Sequence, residues 1–87
     1  IVELTALNSP VAAVVSGLSI GDILQVELET SPRNRIVVRD VKTGGIAGAI
    51  TSPRLVDLIE CIHSGYAYEA EVKSISGGRI EIEIRPA

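Results

Sequence analysis

The chain contains no tryptophan, phenylalanine or methionine, and its only aromatic residues are Tyr66 and Tyr68. At alternate positions on a strand these two share one face, and with at least one of them in the core a single stacking platform is left, Tyr66. Cysteine is almost as scarce. Cys61 stands alone, which rules out an internal disulfide framework and fits a reducing, cytoplasmic setting. No apolar stretch is longer than Val11–Val15, far short of the ~20 residues that span a bilayer, so no membrane association is expected.

The reactive side chains are equally sparse. The one histidine, His63, lies two residues from Cys61 in a helical pattern, so the two point about 200° apart and cannot act as a nucleophile and base. Cys61 reads as a small core hydrophobe, and His63 as a residue favoured at a helix C-terminus. Two nitrogen or sulfur ligands are too few for a tetrahedral metal site. The carboxylate pairs Glu27/Glu29, Glu69/Glu71 and Glu81/Glu83 alternate along strand-like segments and read as solvated faces. Gly44, Gly45 and Gly48 match no phosphate-loop spacing. The sequence therefore implies no enzyme, no cofactor and no metal.

What is plentiful is β-branched. Twelve isoleucines and ten valines in 87 residues favour strands, in a chain large enough for one modest core. Residues 1–87 are read as one domain, and a start at Ile1 without a leader pattern suggests a piece of a longer protein.

The rhythm along the chain assigns the elements. Residues 1–7 suggest a strand in which Val2, Leu4 and Ala6 alternate against Glu3 and Thr5. Asn8 or Ser9 can cap a short helix with Pro10 in its first turn, Val11, Val14 and Val15 facing inward and Gly17 at its end. Leu24, Val26 and Leu28 alternate with Gln25, Glu27 and Glu29, a strand with one wet face. A turn at 31–34 leads to the run from Ile36, and Lys42–Gly45 forms the next turn before Ile46–Ile50, where Gly48 marks a bulge or a close backbone approach. Ser52 and Pro53 open a helix whose Leu55, Leu58, Ile59 and Ile62 form one stripe, stopped at Gly65. Two strands around Gly77 and Gly78 complete the pattern. The expected fold is mainly β (α+β), a small OB-like or SH3-like barrel of about six strands with two short helices, one plugging an open end.

The net charge of −3 is unevenly spread. Arg33, Arg35, Arg39, Lys42 and Arg54 against Asp40 give +4 between residues 33 and 54, while three bases and ten acids elsewhere give −7. Arg33, Asn34, Arg35, Lys42, Arg54 and Tyr66 are the candidate binding residues, three of the cations falling at turns or a helix start where phosphate could reach them. The competing structural reading pairs Arg35 and Arg39 with Glu27, Glu29, Glu81 or Glu83 across the sheet.

From Gly21-Asp22 to Arg85 the pattern resembles the HIRAN domain, found alone in prokaryotes and attached to Swi/Snf-type ATPases and repair enzymes. The resemblance rests on an Asn-containing turn before an Ile-x-Val strand (Asn34, Ile36, Val38), the glycine-containing strand Gly45-Ile46-Ala47-Gly48, a helix ending at Gly65 and closing strands. It implies an OB-like barrel with two helices that holds the 3′ end of single-stranded DNA. Ser31 and Pro32 stand where that family carries an aromatic residue and an aspartate, and a missing ring forfeits roughly 1–3 kcal/mol of stacking per base. The alternative to a single-stranded DNA partner is a protein partner, or self-association through an exposed strand edge.

Overall fold

Alternating burial along every long strand determines the architecture. In the computed structural model, which describes residues 2–30 and 34–87, the chain runs β1 (Glu3–Asn8), α1 (Ala12–Val15), β2 (Ile23–Glu29), β3 (Arg35–Arg39), β4 (Ile46–Ile50), α2 (Leu55–His63), β5 (Tyr68–Ser76) and β6 (Arg79–Pro86). The strands close into an antiparallel barrel in the order β1-β4-β3-β2-β5-β6, mainly β and consistent with a small OB-like barrel. Inward residues Leu24, Ile36, Ile50, Val72, Ile80, Ile82 and Ile84 are essentially inaccessible and form one core. Burying side chains of this size is worth roughly 1.5–3 kcal/mol each, which is the main force holding so small a barrel together.

The two helices are short for different reasons. In α2 the i, i+3, i+4, i+7 stripe works as the spacing predicts: Leu58 is fully buried and Leu55, Ile59 and Ile62 pack against the core. Its end is a Schellman motif, with Gly65 N–H donating to Ile62 O at 3.0 Å, Tyr66 N–H to Cys61 O at 3.1 Å, and Gly65 at φ +100°. α1 is a single turn. The expected cap at Asn8 or Ser9 is absent, because Ser9 adopts φ +50° and Val11 is the cap residue, with its own N–H donating to Ala47 O at 2.8 Å. That bond ties the start of α1 to β4, and Val11 stays exposed while Val14 and Val15 reach the core. Neither helix is long and apolar enough to cross a membrane.

Gly48 shows both features expected of it. The pairing of β3 with β4 shifts register between Val38 and Arg39, and a Cβ at Gly48 would lie 3.1 Å from Asn8 O and 3.3 Å from Leu7 Cβ. The glycine therefore lets β1 cross tightly over β4 where the barrel closes.

β1 departs from the sequence reading. Glu3 and Thr5 pair directly with the inward residues Ile84 and Ile82, so they share the inner face, while Leu4 lies opposite Glu83 and Ala6 opposite Glu81 on the outside. Val2 and Leu4 are 66% and 60% exposed. Register with β6, continued into Leu7 in the core, outweighs the polarity of the first few residues.

Candidate nucleic-acid and protein interface

The cations predicted to bind phosphate are carried by the β2–β3 hairpin and its neighbours, so the hairpin ladder decides what they meet first. Glu29 lies directly opposite Arg35, and Arg35 Nε donates to Glu29 Oε1 at 2.6 Å. Arg39 reaches diagonally to Glu27, its Nε 3.0 Å from Oε2, and its guanidinium also donates to Gly44 O. Glu27 accordingly holds the Arg39 guanidinium even more firmly protonated than usual. Between these two pairs, on the same outer face, Val37 has no exposed surface. The aliphatic stems of arginines at positions i−2 and i+2 of a strand are placed to cover such a side chain.

Lys42 lies at the other end of the hairpin. Its Nζ donates to Asp22 Oδ2 at 3.1 Å, tying the β3–β4 turn to the loop before β2, and Ser19 N–H donates to the same oxygen at 2.9 Å. The Ser19 amide first, and Lys42 second, hold Asp22 below the usual carboxylate range. The turn itself is organised by Asp40, the one buried charged residue among the described residues at 2% exposure, which accepts the Lys42 N–H at 3.0 Å and the Thr43 hydroxyl at 3.5 Å. The signal for this Asx turn in the sequence is Asp40-x-x-Thr-Gly, a carboxylate two residues before the amide it accepts.

Arg54 is the N-cap residue of α2 and pairs with Asp57 one turn on, at 3.1 Å. Tyr66 follows the Schellman turn and is 67% exposed, whereas Tyr68 is buried in the barrel wall. Proximity to Cys61 first, and burial second, push the Tyr68 phenol above its ordinary range. Asn34 is exposed at the start of β3, and Arg33 lies outside the described residues. Topology thus places Asn34 and Arg35 at the end of the barrel where α2 begins after β4, with Tyr66 following α2, and sends Lys42 to the opposite end.

On the β5–β6 face Arg85 is shared by three carboxylates, at 2.9 Å from Glu69, 2.6 Å from Glu71 and 3.3 Å from Glu83. Glu71 also receives Lys73 Nζ at 3.2 Å, and Arg85 first and Lys73 second draw its carboxyl below the usual range. Arg79 meets Glu81 at 3.5 Å. Every one of the seven described Arg and Lys residues, that is the eight of the chain less Arg33, therefore has a carboxylate partner, while Glu3, Asp40 and Glu60 enter no salt bridge among the described residues. Also among these residues, no group of three or more His, Cys, Asp and Glu side chains is gathered as a metal site would require. Compared with protein-family models, curated proteins and solved structures, the chain matches none.

Proposed function

We propose that this domain is a non-enzymatic binding module and that its ligand is a segment of another protein rather than a nucleic-acid strand. The observation that carries this reading is the pairing of all seven described cations with carboxylates. A strand of phosphates would have to displace an acid at each contact, on a surface whose net charge already repels it. Exposed aliphatic side chains, among them Leu4 and Ile23 on the barrel wall and Val41 in the β3–β4 turn, offer protein contacts that need no such exchange.

A second reading, single-stranded DNA held by its 3′ end as in the HIRAN resemblance, is favoured by one observation. Asn34, Arg35, Arg54 and Tyr66 belong to the α2 end of the barrel, and exposed ion pairs cost only ~0–1 kcal/mol to break.

Fluorescence anisotropy separates the two. A labelled single-stranded oligonucleotide, bearing either a 3′-hydroxyl or a 3′-phosphate, is titrated with the domain at low and at moderate salt. The protein-binding reading expects no saturable rise at either salt. Saturable binding that weakens steeply with salt and is lost in Arg54→Ala and Tyr66→Ala would overturn it in favour of the DNA end.

A further inference from the structure

The barrel is closed unevenly. β1 pairs with β6 over Glu3–Ala6, but on its other side only Leu7 and Asn8 meet β4, opposite Ile50 and Ala49. β4 ends there, and the chain departs through Thr51, Ser52 and Pro53 into α2, which packs chiefly on β2 and β3. Among the described residues the first half of β1 therefore has a strand along one edge alone. A groove of about 420 Å³ follows this strand, lined by Leu4 through Asn8 and flanked by Thr51, Arg79 and Glu81.

Two side chains in this half-strand are out of their usual places. Leu4 projects outward, exposed, between the strand edge and Glu83. Glu3 lies on the inner face, and its Oε2 is buried with no hydrogen-bond donor among the described residues. A one-sided strand with an exposed leucine and an unsatisfied carboxylate oxygen is poorly finished as a free surface.

We propose that Glu3–Ala6 is a docking edge, and that its occupant is an extended segment of a partner protein in which basic residues alternate with aliphatic ones. The proposal rests on the protein-binding reading above and gives it a location. Backbone groups of the added strand pair with the open edge of β1, and one row of its aliphatic side chains covers Leu4 and Ala6. Charge selects the partner. Glu83, opposite Leu4, competes with Glu69 and Glu71 for the single Arg85, so this face keeps surplus negative charge even with Lys73 counted. On the opposite, inner face, where the alternating basic side chains fall, the buried Glu3 Oε2 has no donor among the described residues, and a basic side chain would supply one. A second copy of this chain paired through β1 would bring a second such Glu3 and a second acidic β5–β6 face to the edge, whereas a basic segment offsets both.

The test uses the whole domain and three labelled eight-residue peptides, in which isoleucine alternates with lysine, isoleucine with glutamate, and serine with lysine. The lysine–isoleucine peptide is expected to bind saturably, at least about tenfold more tightly than either control, and to slow hydrogen exchange of the Glu3–Ala6 amides. Leu4→Lys, an exposed substitution, should lower its affinity by about tenfold or more. Equal binding of the serine–lysine peptide, or of the lysine–isoleucine peptide to Leu4→Lys, would overturn the proposal. Binding with protection confined to other strands would overturn the β1 site and leave the protein-binding reading standing. Failure of all three peptides together with tight oligonucleotide binding would remove both. A concentration-dependent dimer protecting the same amides would overturn the choice of partner.

Discussion

Arg35 and Glu29 face each other across the β2–β3 ladder with Nε and Oε1 2.6 Å apart, and this contact converts a candidate phosphate ligand into part of the barrel wall. Both side chains are partly in solvent, at 54% and 31% exposure, so the pair is screened and shallow. A double-mutant cycle with Arg35→Ala and Glu29→Ala, followed by urea unfolding, should return a coupling of roughly 0.2–1 kcal/mol that shrinks in high salt.

The same relationship yields a functional prediction. Replacing Glu29 and Glu27 by glutamine leaves Arg35 and Arg39 without their carboxylates and shifts the net charge from −3 toward neutrality. If the pairing is what keeps nucleic acid away, Glu27→Gln/Glu29→Gln should acquire weak, salt-sensitive oligonucleotide binding that the unmodified domain lacks. Anisotropy at low salt checks it; an unchanged baseline in the variant would mean that something other than charge pairing excludes the strand.

The features legible in the sequence are those set by a long, regular pattern. The strands around Gln25 and the Gly77–Gly78 turn, and the stripe of α2, each repeat their period often enough for the buried face to be unambiguous. β1 is a strand as its residues suggest, but its inner face is not the one their alternation points to. Its first residues alternate too briefly, and their inner face was set by pairing with Ile82 and Ile84, some eighty residues away in sequence. The cap of α1 failed similarly, because a long-range bond from Val11 to Ala47 outweighs the local preference of Asn8 and Ser9. Among the site residues, the pairing of Arg35 and Arg39 with Glu29 and Glu27 was foreseeable as a cross-strand option. The separation of Lys42 from Arg35 follows from their places at opposite ends of β3, which the linear charge cluster conceals.

Acid should loosen the β3–β4 turn and the Arg85 cluster. Asp22 and Glu71 both titrate below their ordinary values of 3.8 and 4.5 in the folded chain. With a depressed folded pKa the stabilisation is complete above the unfolded value and is lost as pH falls through the folded one. Thermal midpoints should therefore be flat from pH 7 to about 5 and fall steadily below about 4.5. Asp22→Asn should lower the neutral-pH midpoint while making the acid decline shallower; an identical slope in the variant would remove Asp22 from the explanation.

The plug formed by α2 depends on one side chain more than on the others. Leu58 is its only fully buried residue, while Leu55, Ile59 and Ile62 are half-buried at the rim. Truncation of a buried leucine typically costs about 2–5 kcal/mol through lost transfer energy and the residual cavity. Leu58→Ala should sit in that range by urea unfolding, and Ile59→Ala distinctly below it.

Gly48 offers the sharpest test of how the barrel closes. A side chain there would meet Asn8 O at 3.1 Å and the Leu7 side chain at 3.3 Å and 3.4 Å, and the oxygen belongs to backbone that cannot rotate away. Because Leu7 and Asn8 make all the pairing between β1 and β4, the clash acts on the seam itself. Overpacking of this kind costs about 1–3 kcal/mol, so Gly48→Val should lower stability by that amount. Faster amide exchange should appear first at Leu7, Asn8, Ala49 and Ile50. Gly78→Val is the matched control, since a Cβ at Gly78 meets nothing within 4 Å. If both variants weaken the seam amides equally, the close approach at Gly48 is not what the glycine is for.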